Sequence, residues 1–414
     1  PARGIVHLHS PYSHDACDGM PRDATGAPNE PCLEHLRAAL CTEQIDFAAL
    51  TDHDDTMADE EFTTLFSMRG TDTPVMSGSN QIASRIHCDD GHEVLITIGG
   101  ENDLMPIMLD HHVAGTVQER HDIYNGTSAT AIQAMRDAGA LIWVAHTEQH
   151  PTDELRTVAP NGVELYNLHA NIDPKIRADF LGLDGYGAIT NAVEFADTNE
   201  GGPEPDLALL SFLTPNLPGI THWNELLAEG KHIPATAGSD AHENALPVIL
   251  ADGERGDSYR RVLRWFSNIV LVNDPKDITQ IEAALAKGRL FSVFEIMGTP
   301  DGFDVVATGG GELGDTVTFN ATHLLVKVPT VRGLDPTLPA PEIKATVIRC
   351  SAGAVTTVAS GSGPELDVEL PGPGAYRVEV SIVPRHLGPY LRDLGTAWAD
   401  QELPWIYTSA IYVE

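Results

Sequence analysis

The sequence predicts an α/β fold: a barrel of strands and helices over residues 1–299, followed by a small all-β, sandwich-like domain over 300–414. Three observations predict it. Short apolar runs such as Ala48-Ala49-Leu50 and Leu141-Ile142-Trp143-Val144-Ala145 stop on Asp or His, as strands do when their carboxyl ends form a shared catalytic rim. Residues 258–267, 268–273, 277–287 and 289–295 then read as helix, strand, helix, strand. After about residue 300 the texture changes to Gly309-Gly310-Gly311, many Thr and Val, and alternating stretches such as Tyr376-Arg377-Val378-Glu379-Val380.

The first strand reads Gly4-Ile5-Val6-His7-Leu8-His9-Ser10. Residues two apart on a strand share a face, so His7 and His9 project together, and two imidazoles on one face can chelate a metal. Residues 16–31 are rich in Gly, Pro, Asp and Asn and read as an ordered loop over the rim. From Cys32 to Leu40 the spacing of Leu33, Leu36 and Leu40 is helical, and the strand after it ends in Thr51-Asp52-His53. A right-handed crossover would set His53 beside His7. Residues 54–79 carry no clear pattern, and Asp89-Asp90-Gly91 is a hairpin turn between 81–86 and 93–98. A helix from Ser128 to Ala138, closed by Gly139, leads into the strand that ends at His146. Gly162-Val163-Glu164-Leu165-Tyr166-Asn167 is a further strand, and Ala237-Gly238-Ser239-Asp240-Ala241-His242 adds an Asp and a His two apart.

Composition narrows the function. Sixty acidic against 25 basic residues give a net charge of −35, a field that repels nucleic acid. No stretch approaches the roughly 20 apolar residues of a membrane span, so a small-molecule substrate is the expected partner. Only two of the 18 histidines, His323 and His386, follow residue 300, which puts the chemistry upstream. Four of the five cysteines, at 17, 32, 41 and 88, fall near the start, as one or two disulfides stapling the first loop or as reduced buried thiols. Cys17 with Cys32 is the preferred pair. The given sequence begins at Pro1 without Met, which leads us to expect a removed N-terminal segment and a secreted or periplasmic protein, with a cytoplasmic one the alternative.

The ordered set His7-x-His9 with Asp15, Thr51-Asp52-His53, Ala145-His146 and Gly238-Ser239-Asp240-Ala241-His242 resembles the polymerase and histidinol phosphatase (PHP) superfamily of metallohydrolases over roughly the first 300 residues. The resemblance implies a distorted (β/α)7, TIM-like barrel holding one to three divalent transition ions, zinc, manganese or iron. It implies that His7, His9 and Asp240 share one ion and that Asp15, His53 and His242 share another. His14 is the alternative to Asp15. His53, His146 and His242 form the implied catalytic set, in a reaction where an ion-activated water attacks a phosphoryl or acyl centre. Some secreted members carry a β-domain after the barrel, which the C-terminal texture is similar to.

Two parts of the pattern need other residues. The superfamily's Gly-x-Glu, whose carboxylate bridges two ions, is matched here to Gly78-Ser79-Asn80, and a neutral amide brings no charge to offset two dications. The following His falls near Leu95 or on His92. His92 and Glu101 are therefore candidate substitutes, or the protein holds fewer ions, or Asn80 coordinates through its oxygen. Asp52 and Asp54 read as carboxylates that orient imidazoles, or as turn residues. Glu164 and Asn167 resemble a rim motif of the branch that includes carbamate hydrolases; Glu164 would orient a ligand or water. His111 and His112 read as exposed loop residues, and His169 as lining the pocket. The leading expectation is hydrolysis of a small phosphoester. The alternatives are an amide, carbamate or ester hydrolase on the same site, and a degenerate metal- or ligand-binding protein. A phosphate pocket wants Arg or Lys, and Arg85, Lys231 and Arg255 are the basic residues near the motif strands.

Overall fold

The structure is a computed structural model that describes residues 1–199 and 201–414. Its strands to residue 294 are β1 (Ala2–Ile5), β2 (Phe47–Leu50), β3 (Thr73–Ser77), β4 (Asn80–His87), β5 (Glu93–Ile98), β6 (Met105–Ile107), β7 (Leu141–Val144), β8 (Gly162–Asn167), β9 (Ala235–Gly238), β10 (Phe266–Val270) and β11 (Leu290–Phe294). The expected helices lie between them. Glu30–Thr42 is capped by Asn29 and buries Leu33, Leu36 and Leu40, Ala129–Asp137 is capped by Ser128, and Ile278–Lys287 stops at Gly288, whose φ of 79° suits the left-handed end of a helix.

The sheets do not form the barrel that the sequence led us to expect. The fold is mixed α/β, with one 13-stranded sheet and several small ones, and no sheet is closed among the described residues. The large sheet runs β3-β4-β5-β2-β1-β10-β11 and continues into the strands Leu403–Thr408, Gly374–Val383 and Ile411–Val413. A separate four-stranded sheet holds β6-β7-β8-β9. Antiparallel neighbours break the uniform parallel ladder of a TIM-like barrel, β4 beside β5 among them. β10 lies antiparallel between β1 and β11, and β6 is antiparallel to β7. Between the two sheets there are isolated bridges, Leu8 with Ala241 and Ile98 with Leu109, in place of a ladder.

The C-terminal strands form as expected from their texture, yet they do not make a sandwich apart. Leu403–Thr408 pairs antiparallel with β11, Phe291 opposite Thr408 and Val293 opposite Ile406, so the ladder crosses residue 300. Phe294 and Tyr407 meet edge to face, ring centroids 5.9 Å apart. Buried Trp143, Trp223 and Trp405 are among the largest side chains of the core.

Two disulfides staple the N-terminal part. Cys17–Cys32 ties the first loop to the start of the helix Glu30–Thr42, and Cys41–Cys88 ties the end of that helix to the β4–β5 hairpin. Cys350 is a buried free thiol. No helix among the described residues is long and apolar enough to cross a membrane.

Candidate metal centre

His7 and His9 lie just past the end of β1, where Leu8 bridges Ala241 and His9 N–H donates to the Ala241 carbonyl at 3.1 Å. The chain is therefore extended there, and both imidazoles enter the same buried space. His53, Glu101, His146 and Asp240 arrive from the ends of β2, β5, β7 and β9. The donor atoms converge. His7 Nε2 and His9 Nε2 are 3.3 Å apart. Glu101 Oε2 lies 3.1 Å from His7 Nε2, 3.0 Å from His9 Nε2 and 3.7 Å from His53 Nε2, while its Oε1 lies 3.3 Å from His146 Nε2. Asp240 divides itself likewise, with Oδ1 3.1 Å from His9 Nε2 and Oδ2 3.2 Å from His146 Nε2. Asp15 Oδ2 faces His242 Nε2 at 3.2 Å and His53 Nε2 at 3.5 Å.

This donor set fits divalent ions. Two donors about 2.1 Å from one tetrahedral ion stand about 3.4 Å apart, the separation seen throughout the cluster. Two compact groups, His7, His9, Glu101 and Asp240, and His9, Asp15 and His53, could each hold one. Glu101 and Asp240 each turn their two oxygens toward different imidazoles, as carboxylates shared between ions do. A third group is His169, Asp240 and His242.

Behind the donors, four of the rings are aimed by a second bond, which fixes the tautomer that presents Nε2. His7 Nδ1 meets Glu164 Oε1 at 2.8 Å, His9 Nδ1 meets Ser13 Oγ at 3.2 Å, and His146 Nδ1 meets Glu148 Oε1 at 3.1 Å. His53 Nδ1 donates to the carbonyl of Glu101 at 2.8 Å. Glu164 Oε2 also accepts from His146 N–H and from Asn167 Nδ2, each at 3.0 Å, and Asn167 Nδ2 reaches Asp240 Oδ2 at 3.0 Å. Two donors sit on strained backbone: His146 has φ 46° and Asp240 φ 49°, in the left-handed region that disfavours side chains. Such outliers persist where the surroundings over-determine them.

The charges explain each other. Burial would push His9 down, but hydrogen bonds to Asp240 and Glu101 and their charges raise it to about 10, and His7 and His146 rise well above the usual imidazole range for similar reasons. Burial would likewise raise Glu101 and Asp240, yet the facing imidazoles hold both carboxyls well below their ordinary values. Asp15 is lowered by the bonds from His242 and His53 despite its burial. The facing imidazoles and carboxylates thus favour each other's charged forms.

Several residues lie elsewhere. Asn80 is exposed at the tip of the β3–β4 hairpin, opposite Ser77, so it supplies no donor. The carboxylate between imidazoles is Glu101, and the signal for it was present: Gly99-Gly100-Glu101 is itself a Gly-x-Glu, directly after the apolar run of β5. Those glycines let neighbouring residues approach closely, since a Cβ at Gly99 would lie 2.5 Å from the Pro106 carbonyl oxygen and one at Gly100 2.8 Å from Met57 Cε. His92 sits on the β4–β5 hairpin with Nε2 2.8 Å from the Ile45 carbonyl, bound to backbone and outside every donor group. His14 is exposed, its ring 5.0 Å from that of His53. Asp52 accepts from Ser10 N–H at 2.6 Å and Ser10 Oγ at 2.7 Å, and burial raises its carboxyl to about 6. Asp54 pairs with His121 at 3.0 Å. His112, expected on the surface, is 8% exposed and bonded to the Glu60 carbonyl and Tyr124 hydroxyl. Glu148 and Ser13 went unnoticed in the sequence, although each is two to four residues from a ligand-type His.

No protein-family model and no curated protein matches the sequence. Among solved structures the chain is similar to PsfC from Pseudomonas syringae PB-5123, with 11% identity, 68% of this chain and 87% of that one covered, and a TM-score of 0.34. A likeness that weak carries no argument about fold or chemistry.

Proposed function

We propose that the protein is a metal-dependent hydrolase of the PHP type. The observation that carries this reading is the convergence of five imidazoles, from His7, His9, His53, His146 and His242, with Asp15, Glu101 and Asp240 at separations matching a shared ion shell. Divalent ions there would lower the pKa of a water toward about 7 and polarise the bond it attacks. The chain's own part is to present neutral Nε2 atoms, to hold the carboxylates ionised, and to fix both through Glu164, Glu148 and Ser13. Glu101 stands where a shared carboxylate is needed, which favours turnover over a degenerate binding protein.

A small phosphoester is the leading substrate class. An amide, carbamate or ester is the second reading, favoured by one observation: two of the three basic residues near the motif strands, Arg255 and Arg85, are engaged elsewhere. Arg255 is paired with Asp18 and Asp257, and Arg85 with Glu93. Neither is free to clamp a phosphate dianion. Zinc, manganese or iron, one to three per chain, suits these N and O donors. The two disulfides favour an oxidising compartment, hence a secreted or periplasmic protein.

The test is a panel of para-nitrophenyl phosphate, its diester and naphthyl carbamate with metal-loaded protein. Hydrolysis of one class, abolished by chelator and by His7→Ala, is expected. Equal inactivity of parent and variant across the panel, with ions bound, would sink the enzymatic reading.

A further inference from the structure

His169 does not belong to any of the strand-end motifs, yet the fold brings it to them. It lies in the short helix Leu168–Ile172 after β8. Asn167 fixes that helix and Asp240 at once, because its Oδ1 accepts from Ala170 N–H at 2.8 Å while its Nδ2 donates to Asp240 Oδ2 at 3.0 Å. The His169 ring is thereby set 4.5 Å from that of His242, centroid to centroid.

Three independent features then coincide. One donor atom each from His169, Asp240 and His242 lies within 4.8 Å of the others. All three line a cavity of about 10 Å³, whose wall also includes Ser239, Glu243 and Asp257, close to the roughly 10–15 Å³ that a single water-sized sphere needs. His169 Nδ1 is buried and has no hydrogen-bond partner, whereas Nδ1 of His7, His9, His53 and His146 is in each case bonded. A buried ring nitrogen left without a partner beside two metal-ligand side chains and an atom-sized void calls for something to fill the void.

We propose that His169 is a cation ligand, acting with His242 and Asp240 on one of the ions of the centre. This rests on the reading that the cluster holds divalent ions. Two imidazoles and a carboxylate form a donor set suited to zinc or another borderline transition ion.

Equilibrium dialysis of the full chain against zinc(II) in a citrate-buffered solution, with elemental analysis per chain, tests it on the parent, His169→Phe and His169→Gln. Both variants are expected to bind one ion about tenfold or more weakly, and thermal unfolding of the metal-free forms is expected to match that of the parent. The cobalt(II)-loaded parent should lose visible-band intensity in both variants. If His169→Phe does not fold, His169→Gln carries the comparison. Unchanged ion count, affinity and cobalt spectrum in a folded variant would overturn the proposal, leaving the rest of the centre intact. A parent that binds no zinc, cobalt, manganese or iron would instead overturn the hydrolase reading, and this proposal with it.

Discussion

Glu164 reaches His7 because residue 238 has no side chain: a Cβ on Gly238 would lie 1.6 Å from Glu164 Oε1 and 2.6 Å from its Cδ. The carboxylate has no easy retreat, since its oxygens are held by His7 Nδ1, His146 N–H and Asn167 Nδ2. Gly238→Ala should therefore unseat the group that orients His7 while leaving every donor present. We expect a loss of about 10- to 100-fold in affinity for zinc, the usual effect of removing a carboxylate that orients a ligating His, and a similar loss in Glu164→Ala. Competition against a chromophoric chelator measures it; parent-like affinity in Gly238→Ala would show that Glu164 is not needed for His7 to bind.

Glu101 and Asn80 give opposite predictions. Glu101→Gln replaces a carboxylate facing His7, His9, His53 and His146 with a neutral amide, so the variant should retain at least one ion fewer per chain and lose hydrolysis. Asn80→Ala, at an exposed hairpin tip, should change neither. Elemental analysis of both variants after gel filtration decides. An ion lost with Asn80 and kept without Glu101 would reverse the assignment.

The contrast between these two residues shows what the sequence made legible. His7, His9, His53, His146, Asp240 and His242 stand out because each terminates or follows an apolar run, and a polar group at that place has to be explained. Glu101 has the same position after β5, but another Gly-x sequence drew the match to residue 80. His92 could not be judged locally, because its partner, the carbonyl of Ile45, lies across the sheet. Nor could closure of the barrel be read. The alternation of strands and helices is common to open and closed sheets, and here the two sheets meet through isolated bridges such as Leu8 with Ala241, which leave no periodic trace.

Ion uptake should release protons. With Asp240 and Glu101 holding His9 up to about 10 despite its burial, the metal-free protein carries a proton on that ring at pH 8, and an ion needs the ring neutral. Affinity should thus rise with pH up to about 10. The same shift has a stability counterpart. A folded pKa raised above the usual 6.5 gives stabilisation that is complete below pH 6.5 and fades as pH climbs through about 10, so the metal-free form should weaken with alkali and the loaded form much less. Calorimetric titration with zinc at pH 8 in buffers of different ionisation enthalpy reads the proton count. A binding heat that does not depend on the buffer would contradict it.

His112 should make the protein acid-sensitive by a route separate from the metal centre. Burial lowers its pKa to about 4, and its two nitrogens bond the Glu60 carbonyl at 2.9 Å and the Tyr124 hydroxyl at 3.1 Å. Between about pH 6.5 and 4 the unfolded chain takes up a proton at this ring that the folded chain does not, so folding weakens as pH falls through that window. The many carboxylates also respond to acid, but they cancel when two proteins differing only at residue 112 are compared. His112→Gln keeps a polar side chain and has nothing to protonate. It should be less stable than the parent by about 1 kcal/mol at pH 7, from one weakened hydrogen bond, and the deficit should shrink or reverse by pH 4.5. Urea unfolding of the metal-free proteins at pH 7, 5.5 and 4.5 provides the comparison; a deficit that stays constant with pH would mean that His112 titrates alike in the folded and unfolded chains.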